Sequence, residues 1–253
     1  MLVPQFLKGL TKRQMPDEQI DVEKTANGSE KAGKRRSGRK PGRPKKDGGL
    51  KERILDEAEL AFAKTGFAGT STRDIAKQAN VNQGLIRYYF ESKEQLYKDV
   101  FHRRGEELAG RRHVLLDRLL ASKPDYTVED VIRAYLEPQW DLKYSNASGA
   151  AFVTLQARIH AEKDEQSLAL RREIYDAPVK RYIGALVPLL PHLSREVVSL
   201  RMAFLVGTYL FMLNDLGRIE DLSQGKVIDL GKEEMLDNLV LFLAAGLRAD
   251  SPE

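Results

Sequence analysis

Cysteine is absent from the 253 residues. That excludes disulfides, thiolate metal sites and cysteine nucleophiles, and it agrees with a reducing, cytoplasmic setting. Histidine is scarce. His102, His113, His160 and His192 are scattered, with no H-E-x-x-H pair and no carboxylates at metal-ligand spacing. Neither a phosphate-binding glycine loop nor a G-x-S-x-G elbow occurs. His192, between Pro191 and Leu193, reads as a helix-end residue, and Glu162 with Asp164 as solvated surface. The sequence therefore offers no catalytic residue, no metal site and no cofactor motif, and an enzyme is not expected. Apolar runs fall short of a membrane span, and the N-terminal MLVPQFLKGL lacks a signal-peptide core followed by a cleavage site, so no membrane partner is expected. Convincing strand alternation and internal repeats are also missing. What remains is helical periodicity, so the expected fold class is all-α, with a small helical head ahead of a larger helical domain.

Charge is unevenly spread. The net charge is +4, yet residues 31–46 hold nine Lys and Arg and no acid, which leaves the rest of the chain net acidic. Residues 1–33 are polar, lack periodicity and are expected to be disordered. Residues 34–47 form a basic arm, with KRRSGRKPGRPKK over 34–46 kept extended by Pro41 and Pro44. An extended ribbon carrying Arg39 and Arg43 fits a narrow minor groove, and Gly42-Arg43-Pro44 resembles an AT-hook core with Pro41 where an Arg is usual. The alternative is a solvated tail that adds nonspecific charge.

A DNA-binding head is expected over 48–101. Leu50 to Thr65 is an amphipathic helix with Ile54, Leu55, Ala58, Ala61 and Phe62 at helical spacing, ended by Gly66. Residues 71–90 then read as two short helices joined by a tight turn. Ser71 caps the first, with Asp74 placed to close a capping box. Asn80 sits where a left-handed residue is needed, Val81 plugs the turn, and Asn82 caps the second helix. That helix is too short to stand alone and must be braced by Ile86 and Phe90. Its other face carries Gln83, Arg87 and Tyr88. This is the layout of a helix-turn-helix, whose second helix enters the major groove of double-stranded DNA. Ser92 opens a long helix that begins with Lys93.

These residues also carry a resemblance. Ala61-Phe62, Gly66-Phe67, Gly69-Thr70-Ser71, Asp74-Ile75-Ala76, Val81, Tyr88-Tyr89-Phe90 and Ser92 to Leu96 resemble the N-terminal domain of the TetR family of bacterial transcriptional repressors. Asn80 stands where that family usually has Gly, and Arg87 where it usually has Tyr. The resemblance implies that Gln83 and Arg87 read base edges while Thr72, Tyr88, Tyr89 and Lys93 hold phosphates. It also implies a homodimer and an unidentified small-molecule effector.

Residues 102–253 are expected to form the effector-binding and dimerisation domain. Thr127 with Asp130 opens a helix that Pro138 bends or ends, and 144–149 reads as a connection. Pro178 marks a kink in a long helix over 164–190, 216–230 reads as a loop, and a last helix spans 232–247. Residues 202–213 and 239–245 are apolar nearly all round, so each needs a partner on a second side. A two-fold four-helix bundle follows, with Gly207, Leu210, Leu239, Phe242 and Leu243 at the interface; the alternative is one large monomeric core. Trp140, Tyr144, Phe152, Gln156, Arg158, Tyr175, Phe204, Thr208 and Phe211 are the candidate pocket, with Arg158 or Arg201 to pair a carboxylate. This half resembles the fatty-acid- and aromatic-responsive branch of the family, notably at Leu190-Pro-His-Leu-Ser194. The expected function is a repressor released from a palindromic operator by a small apolar or acidic effector. Two alternatives stand beside it: an architectural A·T-rich DNA binder driven by the arm, and a helical enzyme or carrier with a vestigial head.

Overall fold

The computed structural model describes residues 49–122, 124–214, 218–226 and 231–251. The tail 1–33 and the whole basic arm 34–47, with Arg39 and Arg43, lie outside the described residues. Among the described residues the fold is all-α: α1 (Leu50–Gly69), α2 (Thr72–Gln78), α3 (Gln83–Phe90), α4 (Lys93–Ser122), α5 (Val128–Ser145), α6 (Ala147–Ala161), α7 (Glu165–Leu186), α8 (Arg195–Leu213), α9 (Arg218–Leu222) and α10 (Lys232–Arg248).

α1 lies behind the head. Ile54, Leu55, Ala58 and Phe62 recur every three to four residues and are buried. Its regular part ends where expected, because Gly66 adopts φ 72°. Phe62 then packs edge-on against Tyr97 of α4, ring centres 5.0 Å apart. The head's apolar core does not close on itself. Phe152, Leu155 and Ile159 of α6 and Ile174 of α7 belong to the same cluster as Ile54, Ile75 and Phe90. The boundary expected after residue 101 therefore falls inside α4, and the head shares its core with α6 and α7.

A buried acid ties these elements. Glu59, fully buried on α1, accepts from Arg103 and Arg104 of α4 at 2.9 Å each and from Ser148 of α6 at 2.6 Å. The second apolar cluster gathers the far end of α4 with α5, α7, α8 and α10.

Pro138 does not end its helix. α5 runs through it to Ser145, opened by the expected Thr127–Asp130 capping box. Proline's missing N–H frees the Ala134 carbonyl. The Tyr182 hydroxyl takes its place at 3.0 Å, while also lying 2.8 Å from the Arg112 carbonyl. The connection expected over 144–149 shrinks to Asn146, whose side chain caps α6 by accepting from Gly149 N at 2.8 Å. The expected loop 216–230 contains the short helix α9.

One described helix, α8, is long and apolar enough by length and composition to cross a membrane, with mean hydropathy 1.5 over 18 residues. This corrects the expectation that no apolar stretch reaches that length. Val198, Met202, Leu205 and Tyr209 pack into the chain's own core, so one face of α8 is already occupied by protein.

Candidate nucleic-acid interface and effector region

The turn is built as its residues demand. Ser71 caps α2 by accepting from Asp74 N at 3.1 Å. The Asp74 carboxylate accepts from the Ser71 hydroxyl at 2.7 Å, so the pair is joined side chain to side chain. Asn80 takes φ 50°, in the left-handed region that Asn tolerates. Val81 N donates back to the Ala76 carbonyl at 2.9 Å, closing the turn. Asn82 caps α3 by accepting from Gly84 N at 2.8 Å. Ile86 and Phe90 then anchor α3, at 3 % and 1 % exposure.

With that face fixed inward, Gln83, Arg87 and Tyr88 are outward, and Tyr88 is 77 % exposed. Thr72, Gln83, Arg87 and Lys93 line one open groove of about 620 Å³. Gln83 Nε2 donates to Thr72 Oγ1 at 3.3 Å, so the two are already drawn together. Lys93 Nζ sits 4.4 Å from the Phe67 ring centre, a cation–π rest position at the start of α4. Tyr89 is half-buried, its ring 5.2 Å from Tyr88 and 6.1 Å from Phe90.

Sequence reasoning missed Glu91. It lies in the same groove with φ 61°, and Ser92 N reaches back to the Phe90 carbonyl, a tight γ-turn held by a non-glycine residue. Nothing in a lone Glu between Phe and Ser announces that backbone. The next residue, Ser92, caps α4 through Gln95 N at 3.0 Å.

The nine candidate pocket residues do not form one pocket. Trp140, Phe152, Gln156 and Tyr175 are buried, but Phe152 lies in the head's core, 5.7 Å from Phe101, while the Trp140 indole donates to the Lys232 carbonyl at 3.0 Å. Tyr144 is half exposed and Arg158 exposed. Phe204 and Phe211 are more than 60 % exposed, and Thr208 is on their side of α8. The reason is helical phase: with Val198, Met202, Leu205 and Tyr209 inward, Leu200, Phe204, Gly207 and Phe211 must point out. Arg201 is engaged with the end of α10, donating to the Leu247 and Asp250 carbonyls at 2.9 and 3.0 Å.

The same phase divides the five expected interface residues. Leu210, Leu239 and Leu243 are buried in the chain's own core, at 6–7 % exposure, a correction to their expected place. Phe242 is 69 % exposed, and a side chain at Gly207 would meet nothing within 4 Å. With Leu200, Phe204, Phe211 and Leu241 they form a bare apolar face across α8 and α10.

A buried polar cluster escaped sequence reasoning. Arg112, Gln139 and Gln156 are at most 1 % exposed. Arg112 stands in the run Arg111-Arg112-His113, where composition cannot say which arginine turns inward. Arg111 instead bonds Asp141 at 2.6 Å near the surface.

Comparison with known proteins agrees with this geometry. Residues 54–100 match "Bacterial regulatory proteins, tetR family", and residues 133–246 match "Tetracyclin repressor-like, C-terminal domain". The chain is 49 % identical over 43 residues to the probable HTH-type transcriptional regulator YttP of Bacillus subtilis (strain 168), 17 % of this chain and 21 % of that protein. It is 37 % identical over 49 residues to the biofilm operon icaADBC HTH-type negative transcriptional regulator IcaR of Staphylococcus aureus (strain Newman), 19 % of this chain and 26 % of that one. The matches thus span about a quarter or less of those relatives. The fold is similar to that of the transcriptional regulator FadR from Bacillus subtilis in complex with stearoyl-CoA: TM-score 0.53, 18 % identity, 77 % of this chain and 98 % of that one. With the helix-turn-helix matched at one end and the helical body at the other, over more than half the chain together, this protein belongs to the TetR family of bacterial transcriptional regulators.

Proposed function

We propose that this chain is a ligand-responsive, homodimeric repressor that acts in the cytoplasm on a near-palindromic operator. The observation that carries the reading is α3: braced by Ile86 and Phe90, it turns Gln83, Arg87 and Tyr88 outward beside Thr72 and Lys93. Gln83 and Arg87 read base edges in the major groove, and Thr72, Tyr88, Tyr89 and Lys93 hold phosphates. Lys93 leaves the Phe67 ring for the DNA backbone at the start of α4, where the helix field favours an anion. The bare apolar face of α8 and α10 supports pairing with a second copy, which sets two α3 helices about one DNA turn apart. An effector that binds more tightly to a misspaced arrangement of the heads releases the DNA. IcaR's name supports negative regulation, and FadR's complex with stearoyl-CoA supports a small-molecule ligand.

Arg87→Ala, measured on operator and on scrambled duplex, tests the reading. Loss of about 1–3 kcal/mol confined to the operator is expected for a base contact. Equal loss on both duplexes would remove the base-reading role and leave a phosphate contact. Deleting residues 1–46 is expected to weaken binding and reduce its salt dependence while leaving sequence preference intact.

A further inference from the structure

Burying a guanidinium without an anion is costly. Arg112 is 1 % exposed, and among the described residues no carboxylate pairs with it. Its planar group lies 3.9 Å from the centre of the Tyr135 ring. It donates to the Tyr135 carbonyl at 3.0 Å, the Gln139 side-chain oxygen at 3.2 Å and the Tyr209 hydroxyl at 3.1 Å. All three acceptors are neutral, and none depends on it. The Tyr209 hydroxyl donates to Gln139, and the Gln139 amide donates to Gln156, so that chain is closed without the arginine. The Tyr135 carbonyl lies within the α5 helix, four residues ahead of Gln139.

A second group in the same region lacks a partner. The Tyr175 hydroxyl is buried and no acceptor meets hydrogen-bond geometry, although Gln156 lies close enough to affect its acidity. Burial pushes the Tyr175 pKa up, and the charge of nearby Arg112 only partly opposes this, so the phenol keeps its proton and remains a donor. The cluster thus holds a permanent cation without an anion, and an O–H without an acceptor.

We propose that Arg112 anchors the effector, and that the effector is a small monocarboxylate with an apolar remainder, its carboxylate accepting from Arg112 and Tyr175. The proposal rests on the ligand-responsive reading above and narrows its ligand class. One fixed cation matches one negative charge; a dianion would leave charge uncompensated at a position only 1 % exposed. The guanidinium fork suits a planar carboxylate. Its bonds join α4, α5 and α8, so a ligand there acts on the helix that begins at Lys93.

The test uses the full-length chain, sodium octanoate and sodium benzoate as probes, and their neutral amides as controls. Wild type is expected to gain roughly 5–10 °C in melting midpoint at acid about a hundredfold above its dissociation constant. The amides are expected to give no gain. Arg112→Met replaces the cation with an apolar side chain of similar length. Without ligand it is expected to melt at or above wild type, because the uncompensated charge is gone, and to lose the acid-dependent gain. A flat wild-type response to both acids overturns the proposal. So does an Arg112→Met variant that melts well below ligand-free wild type, which would make the arginine a structural strut. Operator preference of wild type is read separately: its absence sinks the regulator reading and leaves the acid-dependent gain standing, while preference without that gain does the reverse.

Discussion

The bare face on α8 and α10 can be turned into a number. Phe242 is 69 % exposed in the single chain and lines one apolar groove with Phe204, while Phe211, Leu200 and Leu241 on the same two helices are each more than half exposed. A Phe side chain offers about 200 Å², so Phe242 leaves about 130 Å² uncovered, worth roughly 3 kcal/mol at ~25 cal/mol per Å². A two-fold axis repeats the contact, so Phe242→Glu removes roughly 6 kcal/mol, about ten-thousandfold in the dimerisation constant, before the cost of burying two carboxylates. Even half that loss raises a nanomolar dissociation constant roughly 150-fold, to above about a tenth of a micromolar. Sedimentation velocity across a dilution series reads this directly, and circular dichroism checks that the monomer stays helical. It should, because the side chain supports nothing inside its own chain. Gly207→Leu gives an independent perturbation: there is open space around its Cβ in the single chain, so only a helix arriving from a partner would meet the new side chain. If both variants stay dimeric at the lowest concentrations measurable, the subunits pair through another surface and the placement of the two heads must be rederived.

Glu59→Gln keeps the shape but removes the charge that Arg103 and Arg104 share. Because Arg103 retains Glu52 and Asp56 and Arg104 retains Glu107, the expected loss is about 3 kcal/mol, the low end for breaking a buried pair, and an unchanged urea midpoint would refute it. Gly149→Ala places a methyl 2.1 Å from the Leu142 carbonyl oxygen, a backbone atom that cannot step aside, so a loss of about 1–3 kcal/mol is expected in the same assay. Burial pushes the His160 pKa below 6.5; its bond to the Gln156 carbonyl works against the shift and the Arg171 charge adds to it. A base depressed on folding contributes stability that is full above about pH 6.5 and is lost as pH falls through the folded value. Melting midpoints of wild type and His160→Gln, compared from pH 7.5 down to 5, should therefore converge at the acid end, and parallel curves would refute the assignment.

Much of the head was legible because its signals are local. Ser71, Asn80, Asn82 and Gly66 each sit at a position where the backbone leaves few residue choices, and all four behave as their chemistry requires. The body was harder to read because its decisive contacts are between distant helices. Pro138 looked like a terminator until the Tyr182 hydroxyl, supplied from two helices away, took the freed carbonyl. The run from Met202 to Leu213 gives apolarity on every side, and only packing against α5, α6, α7 and α10 decides which residues are spent inside and which remain exposed. A charged pair such as Arg111-Arg112 shows the same limit: adjacent residues lie about 100° apart around a helix, so one meets Asp141 at the edge and the other enters the interior.

Those interior contacts also say how a ligand in the body could reach the DNA face. Lys93 and Arg112 belong to one helix, separated by about 28 Å of rise at 1.5 Å per residue. Between them stand Arg103 and Arg104, tied through Glu59 to α1, and Gly105, where an added Cβ would lie 2.1 Å from Ile174 Cγ2 of α7. α4 is therefore gripped by the head on one side and by α7 on the other, with Lys93 at its first position and the buried Arg112, which has no carboxylate partner among the described residues, about two turns beyond the grip. A helix held in this way responds to a pull on one side of the grip by tilting about that point. The helices that would feel such a pull at Arg112 are α5 and α8, because they supply its neutral partners. α8 also carries the bare apolar face, so under the pairing proposed above a displacement there changes the angle between two copies as well as the tilt of α4 within one. Spacing of two recognition helices depends on both quantities, which makes Arg112 a point where one ligand charge acts on each of them at once.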